Sequence, residues 1–141
     1  MKKFILLTVS ILSLSLLFSS CGKDKERVVI EEEKIYGTWT GDYQSVGFLT
    51  MKFTSGAKFS GMISVKDGDK LIDYETFEGS YNLYGNKLVL YVTKLAQKND
   101  SGGWDSLPNY SETINVTLTF KDDNNVTAKW GKSGTVDLVR K

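Results

Sequence analysis

The 141-residue chain contains no histidine, one cysteine and one proline, and its positive and negative charges nearly cancel. Without histidine, and with its cysteine near the N-terminus, the chain lacks the usual pairs of nucleophile and base that enzymes use. The lone Cys21 also excludes an intrachain disulfide and a zinc site built from cysteines. A net charge of +1 leaves no basic surplus for a nucleic acid. We therefore expect a non-enzymatic protein with no metal, no other cofactor and no nucleic-acid partner.

The first 20 residues have the pattern of a secretory signal, in which Lys2 and Lys3 precede an apolar stretch over residues 4–18. This stretch is shorter than the roughly 20 apolar residues of a membrane-spanning helix. Residues 18–22 (Phe-Ser-Ser-Cys-Gly) resemble the lipobox of bacterial lipoproteins, with Phe18 where Leu is usual. The resemblance implies cleavage before Cys21 and attachment of lipid to its sulfur, with palmitate among the acyl chains of the lipidated cysteine. The alternative is an ordinary signal peptide with a cysteine placed by chance.

Residues 21–34 are predicted to form the lipidated cysteine and a charged tether. Gly22 stands where some lipoproteins carry the Asp that holds them at the inner membrane. Residues 22–26 (Gly-Lys-Asp-Lys-Glu) also resemble the charged signal that sends lipoproteins to the cell surface in Bacteroidetes-like bacteria. We therefore expect a lipid-anchored protein of the outer membrane, and the second resemblance implies exposure at the cell surface.

From residue 35 onward, apolar and polar residues alternate, as they do in antiparallel strands with one buried and one wet face. Short turn sequences such as Asp67-Gly68 separate the alternating runs. Eight strands are predicted to begin near Tyr36, Gly47, Ala57, Leu71, Lys87, Ser111, Val126 and Thr135. Because short connections pair strands that are neighbours in sequence, the meander can close on itself. Residues 35–141 are therefore predicted to form one all-β domain, an antiparallel eight-stranded up-and-down barrel.

The first strand carries Gly37-Thr38-Trp39, which matches the Gly-x-Trp of lipocalins. The domain resembles lipocalins and their shorter bacterial lipocalin-like relatives. In that family the Trp packs under an Arg of the last strand at the closed end of the barrel, and Arg140 occupies the matching place. The resemblance implies a lipocalin-like barrel with Trp39 and Arg140 as a structural pair. Avidin-like barrels also begin in this way, but the chain shows no match to their biotin-contacting segments.

The order of strands in a meander places the long loop over residues 96–110 at the end opposite to the chain termini. The lipid anchor is then expected at the closed base, with the barrel mouth pointing away from the membrane. The sequence of the fourth strand allows two alternatives for the polarity of the mouth. A bulge near Thr76 would turn Ile72 and Tyr74 inward and make the pocket apolar. Without the bulge, Asp73 and Glu75 would point into the mouth and make it acidic.

The leading hypothesis is a membrane-anchored, monomeric lipocalin-like lipoprotein that binds a small, largely apolar molecule in the barrel mouth. Trp104, on the long loop, is a candidate lid or a cork with no ligand. The predicted ligand-binding residues are Tyr43, Leu49, Val65, Tyr74, Trp104, Ile114 and Trp130, with Val92 and Val136 in the same tier. The alternative is an interaction module, in which a barrel without a cavity displays the 96–110 loop to a protein partner.

Three short patterns could carry other chemistry, and each has a simpler interpretation. Ser55 and Lys58 spell the Ser-x-x-Lys of some serine acylases, but that motif needs a helix and here crosses a turn. Asp73 and Glu75 have the spacing of a carboxylate pair on a strand, but a small barrel offers no sugar-sized cleft. Residues 67–69 (Asp-Gly-Asp) lack the spaced ligands of a calcium loop and are expected to form a turn.

Overall fold

The computed structural model describes residues 33–45, 47–132 and 134–141. The predicted signal peptide, Cys21 and nearly all of the predicted tether lie outside the described residues. Within the described part of the chain, no helix is both long and apolar enough to cross a membrane.

The described residues form one antiparallel sheet that closes into a barrel. The strands are β1 (Gly37–Tyr43), β2 (Gly47–Thr54), β3 (Lys58–Asp67), β4 (Lys70–Tyr84), β5 (Lys87–Lys98), β6 (Trp104–Ser106), β7 (Glu112–Asp122), β8 (Asn125–Trp130) and β9 (Gly134–Arg140). Eight of them follow one another around the wall in the order β1-β2-β3-β4-β5-β7-β8-β9, and β9 pairs back to β1. The short strand β6 adds to β5 alone. The predicted all-β, eight-stranded up-and-down barrel is confirmed, with β6 as one additional strand.

The alternation in sequence determines which side chains enter the barrel. Leu49, Met51 and Phe53 of β2 are buried, while Lys52 and Thr54 between and after them are exposed. Successive side chains of a strand point to opposite faces, so each strand contributes every second residue to the core. Tight turns at residues 55–57, 85–86 and 123–124 connect the strands at one end of the barrel. This end is the base, and the chain also enters and leaves the barrel there.

Aromatic side chains fill the lower part of the barrel. The ring of Phe53 contacts Tyr81 edge-on at a centroid distance of 5.2 Å and Phe59 at 6.2 Å. Trp39 packs edge-on against Phe120 at 6.3 Å. Such edge-on pairs stabilise a core beyond the burial of their area. These aromatic contacts therefore form a packed layer at the base of the barrel.

Arg140 closes the base over Trp39. Its guanidinium carbon lies 4.5 Å from the centre of the indole ring, and Trp39 has no exposed surface. The guanidinium donates hydrogen bonds to the carbonyl oxygens of Tyr36 (2.8 Å), Asp123 (3.0 Å) and Lys34. The indole Nε1 donates to the Ile35 carbonyl at 2.7 Å. One residue of the last strand therefore ties the start of the domain to the turn between β7 and β8.

A bulge in β4 lies at Tyr74, which has no partner on β3, because Ile63 pairs with Glu75 and Ser64 with Asp73. The expectation that a bulge turns Ile72 and Tyr74 inward is wrong, since these side chains are 37% and 45% exposed. The reason is that β4 begins to pair with β5 only at Glu75. Before that residue β4 pairs with β3 alone, so the hairpin of β3 and β4 extends beyond the barrel and reaches no core.

Candidate functional site

The barrel encloses a cavity of about 310 Å³. It extends from Trp39 at the base to Tyr43, Trp130 and Glu112 near the mouth. Most of its lining is aliphatic or aromatic, with Leu90 among the residues in its wall. This volume lies within the range of about 300–1,000 Å³ that small-molecule sites occupy. The barrel is thus closed at its base by Trp39 and Arg140 and hollow above them.

The structure brings most of the residues that were predicted to bind a ligand to the wall of this cavity. Tyr43, Leu49, Ile114 and Trp130 line it, and so do Val92 and Val136 of the same tier. Three predicted residues do not line it, namely Val65, Tyr74 and Trp104. Val65 lies at the rim of the barrel, because it pairs with Gly47, the first residue of β2, and with Ile72, which precedes the pairing of β4 with β5.

Two aromatic side chains form one side of the mouth. Tyr43 ends β1 and Trp130 ends β8, and their rings stack with an interplanar angle of 10° and a centroid distance of 6.1 Å. Gly134 of β9 lies beside the indole, and a Cβ atom there would sit 2.3 Å from Nε1 of Trp130. The ring therefore occupies space that only a glycine at position 134 leaves open.

Two carboxylates stand in the cavity wall near the mouth. Glu75 follows the bulge in β4 and accepts a hydrogen bond from Gln97 Nε2 at 2.8 Å. Glu112 begins β7 and accepts a hydrogen bond from the Tyr110 hydroxyl. This hydrogen bond, together with burial and the negative charges of Glu112 and Glu75, raises the pKa of Tyr110 to about 12. The hydroxyl therefore remains a donor throughout the physiological range of pH.

Sequence reasoning found one of these carboxylates and missed the other. Glu75 was one of the two alternatives for the mouth, but its supposed partner Asp73 does not line the cavity and instead accepts a hydrogen bond from the buried Ser64 at 2.9 Å. Glu112 continues the inward-facing alternation of Ile114 and Val116, and this was the signal that could have identified it. Tyr110 lies before the strand, where no alternation exists to indicate its direction.

The long loop is folded against β5 and leaves its tryptophan exposed. Trp104 in β6 pairs with Lys98, whose Nζ lies 6.0 Å from the ring centre. The loop is closed by Asn99, whose Oδ1 accepts a hydrogen bond from the Gly103 amide at 2.8 Å. Trp104 is 44% exposed and is outside the cavity wall, so it does not fill the cavity.

The three sequence patterns that could carry other chemistry lie in different parts of the fold. Ser55 lies in the turn between β2 and β3, where Thr54 Oγ1 donates to the Lys58 carbonyl at 3.2 Å. Residues 67–69 form the tip of the hairpin between β3 and β4. Across the described ranges, no group of three or more Asp, Glu, His or Cys residues is placed to hold a metal ion.

Comparison of the chain with protein-family models, with curated proteins and with solved structures gave no match.

Proposed function

We propose that the protein is a lipid-anchored, non-enzymatic, lipocalin-like lipoprotein that binds a small, largely apolar molecule inside its barrel. The observation that carries this proposal is the cavity of about 310 Å³, whose wall is mostly aliphatic and aromatic. Burying an apolar surface against such a wall contributes roughly 25 cal/mol per Å² of area removed from water. A barrel with a closed base and a hollow interior suits such a ligand, because a wall of hydrogen-bonded strands needs little ordering on binding.

The lipocalin-like assignment is supported by the closed end of the barrel. Trp39 belongs to the Gly-x-Trp sequence of β1, and Arg140 of the last strand lies over its ring. A closed meander of eight strands is compatible with this assignment. A barrel of this size can hold one small ligand.

The proposed location is the outer membrane, with a lipid at Cys21 and exposure at the cell surface. The support is the signal-like sequence of residues 1–20 and the charged residues that follow Cys21. In the fold, the domain starts at the base of the barrel, and the mouth is at the other end. A tether from the base would direct the mouth away from the membrane, toward soluble ligands. We propose that the barrel acts there as a monomer.

The test uses N-phenyl-1-naphthylamine, a hydrophobic dye that is uncharged at neutral pH and fluoresces when it is shielded from water. We expect the full-length protein to bind the dye, and Ala128→Phe to abolish binding, because Ala128 is buried in the cavity wall. Lys129→Phe adds the same ring on the exposed outer face and should leave binding unchanged. Circular dichroism establishes that both variants fold. Equal dye binding by the two variants would contradict a ligand site inside the barrel.

The alternative function, an interaction module, is favoured by a different observation. Trp104 and Leu107 of the long loop are exposed, as are Leu71, Ile72 and Tyr74 of the β3–β4 hairpin at the same end of the barrel. Exposed apolar residues that cluster on one surface are typical of sites that bind a protein. In that case a protein partner would bind this end, and substitutions inside the barrel would not affect the interaction.

A further inference from the structure

The cavity has two chemically different zones, and their order along β7 follows from the strand alternation. Val116, Ile114 and Glu112 line the cavity in succession toward the mouth, and they pair with Leu88, Leu90 and Val92 of β5. On this side the inner zone is therefore aliphatic, and a carboxylate stands at its upper limit. On β4, which pairs with the other edge of β5, Phe77 and then Glu75 follow the same order toward the mouth.

Within the described residues, neither Glu75 nor Glu112 forms an ion pair. Among the described residues the ion pairs are Lys94 with Glu78 and Lys121 with Asp137, both on the outer face of the barrel. The cavity wall contains no lysine or arginine within the described part of the chain. Each carboxylate accepts one hydrogen bond from the protein, from Gln97 and from Tyr110, and keeps further acceptor sites. The mouth thus carries uncompensated negative charge above an apolar chamber.

We propose that the ligand is an amphiphile with an apolar body and a protonated amine, and that Glu75 and Glu112 bind the amine at the mouth. This inference rests on the proposed function, since it names the class of ligand for the same cavity. The apolar body would fill the aliphatic zone, and the ammonium group would donate charge-assisted hydrogen bonds to the carboxylates. The stacked rings of Tyr43 and Trp130 at the mouth also favour a cation over an anion.

Other charged ligands fit the same groups less well. An anionic head group would meet two carboxylates and would be repelled. A hard metal ion prefers six or more oxygen ligands, which two carboxylates and a tyrosine do not provide. The raised pKa of Tyr110 is consistent with the negative potential at the mouth, because the charges of Glu112 and Glu75 both oppose ionisation of its hydroxyl.

The test compares three probes that share an alkyl chain and differ in their head group, namely octylamine, octanol and octanoate. Binding of each to the full-length protein is measured by isothermal titration calorimetry. We expect octylamine to bind about tenfold or more tightly than octanol, since hydrogen bonds to charged groups contribute on that scale. Octanoate should bind most weakly of the three.

Variants then show whether the two carboxylates cause the preference for octylamine over octanol. Glu75→Gln should lower the affinity for octylamine about tenfold, and Glu112→Gln should lower it by a smaller factor because that carboxylate is exposed. Both variants should leave the affinity for octanol unchanged. Retained octanol binding also shows that a variant is folded. Glu78→Gln, on the outer face of the same strand as Glu75, is the matched control and should change neither affinity.

The outcomes separate this inference from the proposed function. If octanol and octylamine bind equally well, or if Glu78→Gln weakens octylamine as much as Glu112→Gln does, the amine inference is wrong and the apolar site stands. If octanoate binds most tightly, the inference is also wrong. If no probe binds, the cavity is not a ligand site and both proposals fail together.

Discussion

Trp39 and Arg140 form the contact that closes the base of the barrel. The indole supplies buried area in the packed base, and the guanidinium covers it while donating to three backbone carbonyls. Arg is suited to this role because its planar group can stack on a ring and donate in several directions at once. The pair therefore links β1, β9 and the turn between β7 and β8.

Trp39→Ala should lower the free energy of unfolding by about 3–5 kcal/mol, because it leaves a cavity in the packed base and removes the cation–π contact. Trp104→Ala is the matched control, since that ring is 44% exposed, and its effect should stay within about 0.5 kcal/mol. Both values come from denaturant unfolding followed by circular dichroism. Similar unfolding midpoints for the two variants would contradict the central position of Trp39 in the core.

The hydroxyl of Tyr110 should ionise far above the usual range of tyrosine. Its pKa of about 12 arises mainly from its hydrogen bond to Glu112. Below pH 10 the hydroxyl is protonated in both the folded and the unfolded chain, and its stabilising effect is complete. Between about pH 10 and 12 the unfolded chain releases the proton first, so the free energy of unfolding falls as pH rises.

An ultraviolet titration of tyrosinate absorbance measures this ionisation, and the difference from Tyr110→Phe isolates the single residue. Glu112→Gln should return the pKa of Tyr110 toward its usual value, because the strongest acceptor becomes a neutral amide. A high-pH transition that persists unchanged in Glu112→Gln would show that the hydrogen bond is not its cause.

At the scale of the strands, the wall of the barrel could be predicted from period-two alternation, as β2 illustrates with Leu49, Met51 and Phe53. The short strand β6 could not be predicted, because it pairs with β5 through its backbone and all three of its side chains are exposed. The outward direction of the Tyr74 side chain could not be predicted from the sequence either. It depends on where β4 starts to pair with β5, which is a property of two distant segments.

The cavity, too, could be predicted from the sequence only in part. Apolar alternation predicted Ile114 and Trp130 in the wall, and the structure places both there. The volume of the cavity depends on how far the aromatic rings at the base fill the barrel, and no local sequence pattern indicates that. Glu112 lies on the predicted inward face, but a charged residue at a strand terminus is usually solvated, so the pattern did not single it out.

Gly134 of β9 is expected to control the position of Trp130. Gly134→Ala should displace the indole from its stack on Tyr43, because the new Cβ would lie 2.3 Å from Nε1. The expected cost is about 1–3 kcal/mol of unfolding free energy, together with a changed near-ultraviolet circular dichroism spectrum. In a Trp130→Ala background the same substitution should cost much less. Equal costs in the two backgrounds would show that the ring and the glycine are not coupled.

At the scale of the whole molecule, the barrel has two ends with different roles. The base holds the packed core and both ends of the domain, while the mouth holds the carboxylates and the stacked aromatic rings. A lipid anchor that precedes residue 35 would leave the mouth free. The signal-like sequence before the domain and the entry of the chain at the base are thus both compatible with the proposed anchor at the end opposite to the mouth.

Cys21→Ser should remove the protein from the outer-membrane fraction, because serine cannot carry the lipid that is proposed to anchor it. We expect the variant as a soluble or an unprocessed protein in cell fractionation. Cys21→Ser would contradict the lipoprotein assignment if its signal were cleaved and the protein still remained with the outer membrane.

The most direct test of the central claim, that the barrel binds its ligand inside, is a methyl NMR titration of the full-length protein with octanol. The account predicts chemical-shift changes at Val92 and Ile114 in the cavity wall, with no change at Val139 on the exposed outer face. Shift changes confined to Leu71 and Leu107, the exposed residues at the mouth end, would contradict binding inside the barrel and favour the interaction module.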